Sequence, residues 1–295
     1  MYIYEPICTE KPNNELGGSE ERFTGSYGKL AYTVKGSGPP LLLIHSISLG
    51  ASPFCWRKNI DALASRYTVY ALELPGFGSS EKRPMIYTAN IFIPAITEFI
   101  EKVVQARVSI ITRDLPAAYC SYIAYIRPEL VAKLLLITPS GLAGNDTSPC
   151  ESSSTTFTIF TQPFVGNGLY NTFSSKESLD QQLKTIFYSD PAYVTPDVIE
   201  NFYANAHQCP NANYAPASFV AGYCNFSVRS FFGMITQPIL ILWGAKAIVS
   251  PVQNLSQFLG LRPQTQYQIF TNCGLILQEE DPKRFNDTAL QFLQA

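Results

Sequence analysis

Histidine is almost missing from this chain, which has only His45 and His207 in 295 residues. Proton transfer near neutral pH falls to histidine more than to any other side chain, so the search for a relay is short. Long apolar runs are missing too. No segment approaches the roughly 20 residues of a membrane span, and Met1 to Asn14 is charged and proline-containing where a secretory leader would be apolar. Neither sign of charge dominates, because 21 basic and 23 acidic side chains are spread along the sequence. Without a concentrated field, neither nucleic acid nor an anionic membrane is an expected partner. Paired C-x-x-C and H-x-x-x-H spacings do not occur, so no metal site is expected. The seven cysteines are odd in number and scattered. They fit buried thiols in a reducing, cytoplasmic setting better than a disulfide framework, which leaves Asn-x-Ser/Thr triplets such as Asn254-Leu255-Ser256 as chance. Gly76-Phe77-Gly78 and Gly166-Asn167-Gly168 fall short of a dinucleotide fingerprint, since neither opens a helix directly after a strand. No cofactor is implied.

What is present is an alternation. With 46% hydrophobic residues the chain can bury one large core. Short β-rich apolar runs recur at Lys29 to Val34, Pro40 to His45, Tyr67 to Leu72, Val108 to Thr112, Lys133 to Thr138, Pro238 to Trp243 and Gln266 to Phe270. Helical patterns follow at Phe54 to Ser65, Thr88 to Ala106, Leu115 to Ile126, Pro251 to Leu259 and Pro282 to Gln294, as parallel strands joined by crossovers require. The last helix starts with Asp281 as N-cap and Pro282 in its first position. Between Gly144 and Met234 the alternation stops. That stretch holds helical pieces at Ser178 to Tyr188 and Thr195 to Ala206, with aromatic residues from Phe157, Phe160 and Phe164 to Phe231 and Phe232.

Several segments carry a family likeness in order. Leu41-Leu42-Leu43-Ile44 runs into His45-Ser46, and Tyr70-Ala71-Leu72 into Glu73-Leu74-Pro75-Gly76-Phe77-Gly78-Ser79-Ser80. Val108 to Ile111 enters Thr112-Arg113-Asp114-Leu115-Pro116. Later come Leu240-Ile241-Leu242-Trp243-Gly244 and then Cys273-Gly274-Leu275 with Glu279-Glu280-Asp281-Pro282 and Phe285-Asn286. This series resembles the α/β-hydrolase superfamily. The resemblance implies an α/β fold, a mostly parallel twisted sheet flanked by helices, with a mainly helical cap insert. The expected organisation is an N-terminal extension over residues 1–25, a core over 26–144 and 235–295, and a cap over 145–234. Ligands of such sheets sit at the carboxyl ends of the strands, so the expected site lies between core and cap.

At the three positions where the family keeps its nucleophile, acid and base, this chain has Asp114, Ala247 and Leu275. A serine mechanism is thereby excluded. The elbow's usual glycines are replaced by Thr112 and Pro116, which makes the tight turn sterically harder, although Asp is among the few residues that tolerate positive φ. Asp114 has three readings: N-cap of the following helix, a cap that also serves as acid, base or ligand anchor, and a carboxylate nucleophile like that of the dehalogenases and epoxide hydrolases of this fold. The third lacks a proton relay, because leucine at 275 cannot activate water. His45 is expected to hold the loop after its strand, and His207 is the remaining pocket candidate with an imidazole. Ser46, Ile47, Leu115 and Ser140 are the other candidates at the strand ends. Cys120 and Cys273 are expected to pack, since no histidine is near either in sequence to make a thiolate.

The preferred expectation is a non-hydrolytic enzyme of cyclase, isomerase or lyase type, orienting a hydrophobic small molecule in an enclosed apolar pocket. The alternatives are a non-catalytic small-molecule binding protein and a hydrolase using Asp114.

Overall fold

A computed structural model describes residues 15–142 and 146–295. The strands are β1 (Ser19–Gly25), β2 (Gly28–Lys35), β3 (Pro40–Ile44), β4 (Thr68–Leu72), β5 (Val108–Arg113), β6 (Val131–Ile137), β7 (Ile239–Gly244) and β8 (Gln266–Phe270). They form one eight-stranded sheet in the order β1-β2-β4-β3-β5-β6-β7-β8. The β1–β2 and β2–β4 pairings are antiparallel and the remainder parallel. Central strands covered on both faces must be apolar throughout, and β3 and β7 are. Their side chains still alternate: Leu42 and Ile44 enter one core, Leu41 and Leu43 the other.

The first core lies under helices α2 (Ala89–Phe99), α3 (Asp114–Ile126) and α9 (Leu255–Leu261), through Phe92, Phe99, Tyr119, Ile123 and Phe258. The second lies under α1 (Ile60–Ala64), α10 (Leu277–Glu280) and α11 (Pro282–Gln294), where Trp56 packs near Phe285. Between β6 and β7 the chain forms α4 (Glu151–Thr161), α5 (Val165–Phe173), α6 (Lys176–Gln182), α7 (Pro196–His207) and α8 (Tyr214–Val220). The boundary expected at residues 144 and 145 lies outside the described residues.

Two expectations need correction. The stretch before residue 26 was expected as an extension, yet Ser19–Gly25 is a sheet strand, in register from Ser19 opposite Val34 to Gly25 opposite Gly28. Its sequence, Ser-Glu-Glu-Arg-Phe-Thr-Gly, is exposed along most of its length, as an edge strand blunted by charge can be. The expected helix from Phe54 to Ser65 is broken into a 3₁₀ turn, Pro53–Trp56, and the short α1. By contrast α11 has the expected start: Asp281 Oδ1 accepts from the Arg284 N–H at 3.3 Å, with Pro282 in the first turn.

Candidate functional site

Strand β5 ends at Arg113 and α3 begins at once with Asp114, whose φ is +52°. A left-handed residue between a strand and a helix makes a sharp elbow that lifts its side chain above the sheet. Thr112 and Pro116, both buried, do not prevent it. The Asp114 carbonyl is held from the next strand's loop, accepting from the Ser140 N–H at 3.0 Å.

The carboxylate is not a helix cap, for its hydrogen bond comes from a guanidinium: Arg113 Nη2 lies 2.9 Å from Asp114 Oδ2. Arg113 is 2% exposed, and the same Nη2 donates to the Leu275 carbonyl oxygen at 3.2 Å. At the place where a proton relay would stand there is thus a cation that cannot act as a base, because guanidinium stays protonated. Burial pushes the Asp114 carboxyl above its ordinary range, and the charge of Arg113 opposes that rise. Oδ1 has no protein partner among the described residues. Farther from the elbow, Glu279 is fully buried, accepting from Tyr188 Oη at 2.6 Å and pairing with Arg57 at 2.6 Å. Arg113 also feels the charge of Glu279, so negative and positive groups alternate from Asp114 through Arg113 and Glu279 to Arg57.

Above the elbow is a cavity of about 450 Å³. Ile47, Ser48 and Leu49 border it from the loop after β3, Asp114 and Leu115 from the elbow, with Ser140 and Leu275 from neighbouring loops. The cap contributes Phe160, Tyr170 and Phe173 from α4 and α5, Leu179, Gln182 and Leu183 around α6, Phe202 from α7, and Pro216 and Ala217 from α8. Tyr170 offers the cavity a ring more than a hydroxyl, because its Oη donates to the Ala206 carbonyl at 2.8 Å. Among the described residues lining the cavity, none is Lys, Arg or His.

Of the residues singled out from sequence, Asp114, Leu115, Ile47, Ser140 and Leu275 therefore meet at one cavity. Three do not. Ser46 lies beside a separate small void with Arg113 and Cys55. Ala247 is buried in the loop after β7, its N–H bonded to the Gly244 carbonyl. His207 is at the end of α7, where Nδ1 meets the Tyr203 carbonyl at 2.8 Å and Nε2 meets Ser174 Oγ at 3.1 Å. Its helix register directs the ring back along α7, and it supplies no imidazole to the cavity. His45 is fully buried: Nδ1 is 2.7 Å from the Ser46 carbonyl and Nε2 accepts the Leu74 N–H at 3.0 Å. An acceptor at one nitrogen and a donor at the other fix the neutral tautomer, and burial pulls its pKa down to about 4. Cys120 and Cys273 are buried thiols, both pushed up by burial, Cys273 to about 12, far from the thiolate state.

Arg113, Gln182, Pro216 and Ala217 are not singled out by the sequence. Arg113 has a signal, a charged residue ending a mostly buried strand and adjacent to an acid. The α8 residues had none, since Pro216 and Ala217 are chemically plain.

A sheet of this order, with a left-handed elbow after β5 and a cavity at the strand ends, defines a protein class, and comparison with known proteins agrees. The family model for the alpha/beta hydrolase fold matches residues 39–282, and the chain belongs to that family. It is 26% identical over 280 residues to the 2-hydroxy-6-oxo-6-(2'-aminophenyl)hexa-2,4-dienoic acid hydrolase of Metapseudomonas resinovorans, covering 92% of this chain and 90% of that one. It is 24% identical over 275 residues to the soluble epoxide hydrolase of Corynebacterium sp. (strain C12), covering 90% and 93%. Among solved structures, the epoxide hydrolase CorEH superposes with a TM-score of 0.77 at 21% identity, covering 94% of this chain and 98% of that one. No helix among the described residues is long and apolar enough to cross a membrane.

Proposed function

We propose that this protein is a non-hydrolytic enzyme that isomerises or cyclises an apolar small molecule held between core and cap. The observation carrying this reading is the Arg113–Asp114 pair under Leu275. A covalent ester formed on Asp114 needs water activated by a base, and the groups around it are a guanidinium and a leucine. A rearrangement has no such requirement. The Asp114 carboxylate takes a proton from a carbon next to a ligand carbonyl, the C–H electron pair moving toward that oxygen as an enolate. The new Asp114 O–H then returns the proton to another carbon of the same conjugated system. Water is neither consumed nor released, and one carboxyl closes the cycle. Burial makes this carboxylate a stronger base than an exposed one. Leu115, at the start of α3, has one of the N–H groups that a helix leaves without a carbonyl partner, and it borders the same cavity, fit to stabilise the enolate oxygen.

A second reading has support in the elbow itself, since the φ of Asp114 is that of a presented nucleophile and one named relative is an epoxide hydrolase. One experiment separates the two. The purified protein is incubated in H₂¹⁸O with styrene oxide, 1-bromohexane and p-nitrophenyl butyrate, and with a panel of unsaturated cyclic and open-chain ketones. The expected outcome is an isomeric ketone product of altered retention, lost in Asp114→Asn, with no ¹⁸O in any product beyond that of the protein-free control. An ¹⁸O-labelled alcohol or diol that disappears in Asp114→Asn would overturn the isomerase reading in favour of the nucleophile.

A further inference from the structure

Among the described residues lining the cavity Asp114 carries the one carboxyl, and that carboxyl is already neutralised from behind. Arg113 lies outside the lining, with its Nη2 taken by Asp114 Oδ2 and the Leu275 carbonyl oxygen. A ligand anion entering the cavity would find no cation among the described lining residues, and at Asp114 Oδ1 it would meet an acceptor that offers it no hydrogen bond. A ligand ammonium would find an anion whose charge is spent on a guanidinium 2.9 Å away. Either ion would give up its hydration to walls that are mostly Leu, Ile, Phe, Val, Pro and Ala side chains, where Ser48, Ser140, Ser250 and Gln182 offer neutral dipoles and no full counter-charge. A neutral hydroxyl or carbonyl compound has no such penalty, and a hydroxyl can donate to Oδ1.

From this geometry we infer that the Arg113–Asp114 pair is a charge filter, admitting uncharged oxygen-bearing apolar ligands and turning away carboxylates and ammonium ions of the same shape. This deepens the reading of the cavity as the ligand site and rests on it. The pair does so by occupying itself: Asp114 supplies an acceptor without leaving a net charge. Removing only the acid therefore inverts the selection, for Arg113 is left as an unpaired buried cation one hydrogen-bond length from the cavity.

Calorimetric titration with three probes of one skeleton tests it: 2-naphthalenemethanol, 2-naphthoate and 2-naphthylmethylammonium at pH 7.5, with Ala217→Phe as the control that fills the cavity. In the unaltered protein the alcohol is expected to bind at least tenfold more tightly than either ion, and Ala217→Phe to abolish that binding. In Asp114→Asn the ratio of naphthoate to alcohol affinity is expected to rise by at least tenfold. Naphthoate or the ammonium binding the unaltered protein within threefold of the alcohol, with Ala217→Phe blocking both, overturns the filter while leaving the cavity as the site. Binding by none of the three, or binding that Ala217→Phe does not touch, overturns the filter and the site together. The comparison in the unaltered protein decides the question even where Asp114→Asn does not fold.

Discussion

Arg113 and Asp114 hold each other in place, so neither is replaceable alone. Breaking a buried ion pair from one side strands the other charge and costs about 3–5 kcal/mol. Arg113→Met is expected to lose that much in urea unfolding, and Arg113→Met/Asp114→Asn to recover most of it; strictly additive losses would mean the two side chains do not act as a pair. His45 gives a second test, in pH. Its folded pKa of about 4 lies below the ordinary 6.5, so the unfolded chain takes up the proton first as pH falls. The stability from the neutral buried ring is complete above pH 6.5 and is lost as pH drops toward 4, a loss of about 3 kcal/mol. Asp114 and Glu279, with raised pKa values, act in the opposite sense, gaining stability as pH falls. The measurement is therefore the difference between the unaltered protein and His45→Gln across pH 4 to 6.5, which should shrink as the pH is lowered and would stay constant if the ring were not buried neutral. At this scale the sequence made the losses plain, because a missing residue type at 247 and 275 needs no coordinates. The pairing of Arg113 with its own neighbour was hidden, since two adjacent residues in a regular strand point to opposite faces and only the left-handed turn at 114 brings them together.

Elements were legible in proportion to how fully they are buried. β3 and β7 are continuous apolar runs, and β5 and β6 are mostly apolar around Ser109, Thr112, Arg113 and Lys133, so their apolarity marks them. β1 escaped notice because an exposed edge strand looks like a polar tail. The cap follows the same rule: the α7 pattern is legible almost to its ends, whereas α4 has little buried surface and α5 and α8 are short and mixed in composition. Two variants probe element ends directly. Asp281→Ala removes the side-chain acceptor at the start of α11 and is expected to cost about 1 kcal/mol in thermal unfolding, an effect that Asp281→Asn should largely avoid. At the elbow, Asp114→Asn retains a residue tolerant of positive φ, while Asp114→Val adds strain of about 1–2 kcal/mol; equal melting temperatures for the two would contradict a left-handed turn there.

At the scale of the molecule, the cavity exists because the cap rests on the strand ends without filling the space between. Ala217 lies on its wall and is 3% exposed. Ala217→Phe should therefore change stability by less than about 1.5 kcal/mol, the void absorbing the ring, and a large loss in the urea midpoint would mean that α8 packs more tightly than the cavity implies. The Leu275 carbonyl oxygen, meanwhile, is tied to Arg113, and no acid stands at 247. Leu275→His would place an imidazole over a carboxylate already claimed by its neighbour, with nothing behind the ring to orient it, and no ester or epoxide cleavage should follow. A return to water-splitting chemistry would have to clear a guanidinium out of the floor before any base could take up its post, which makes the route back at least three steps long and strands the Asp114 charge in grease in any form that loses Arg113 first.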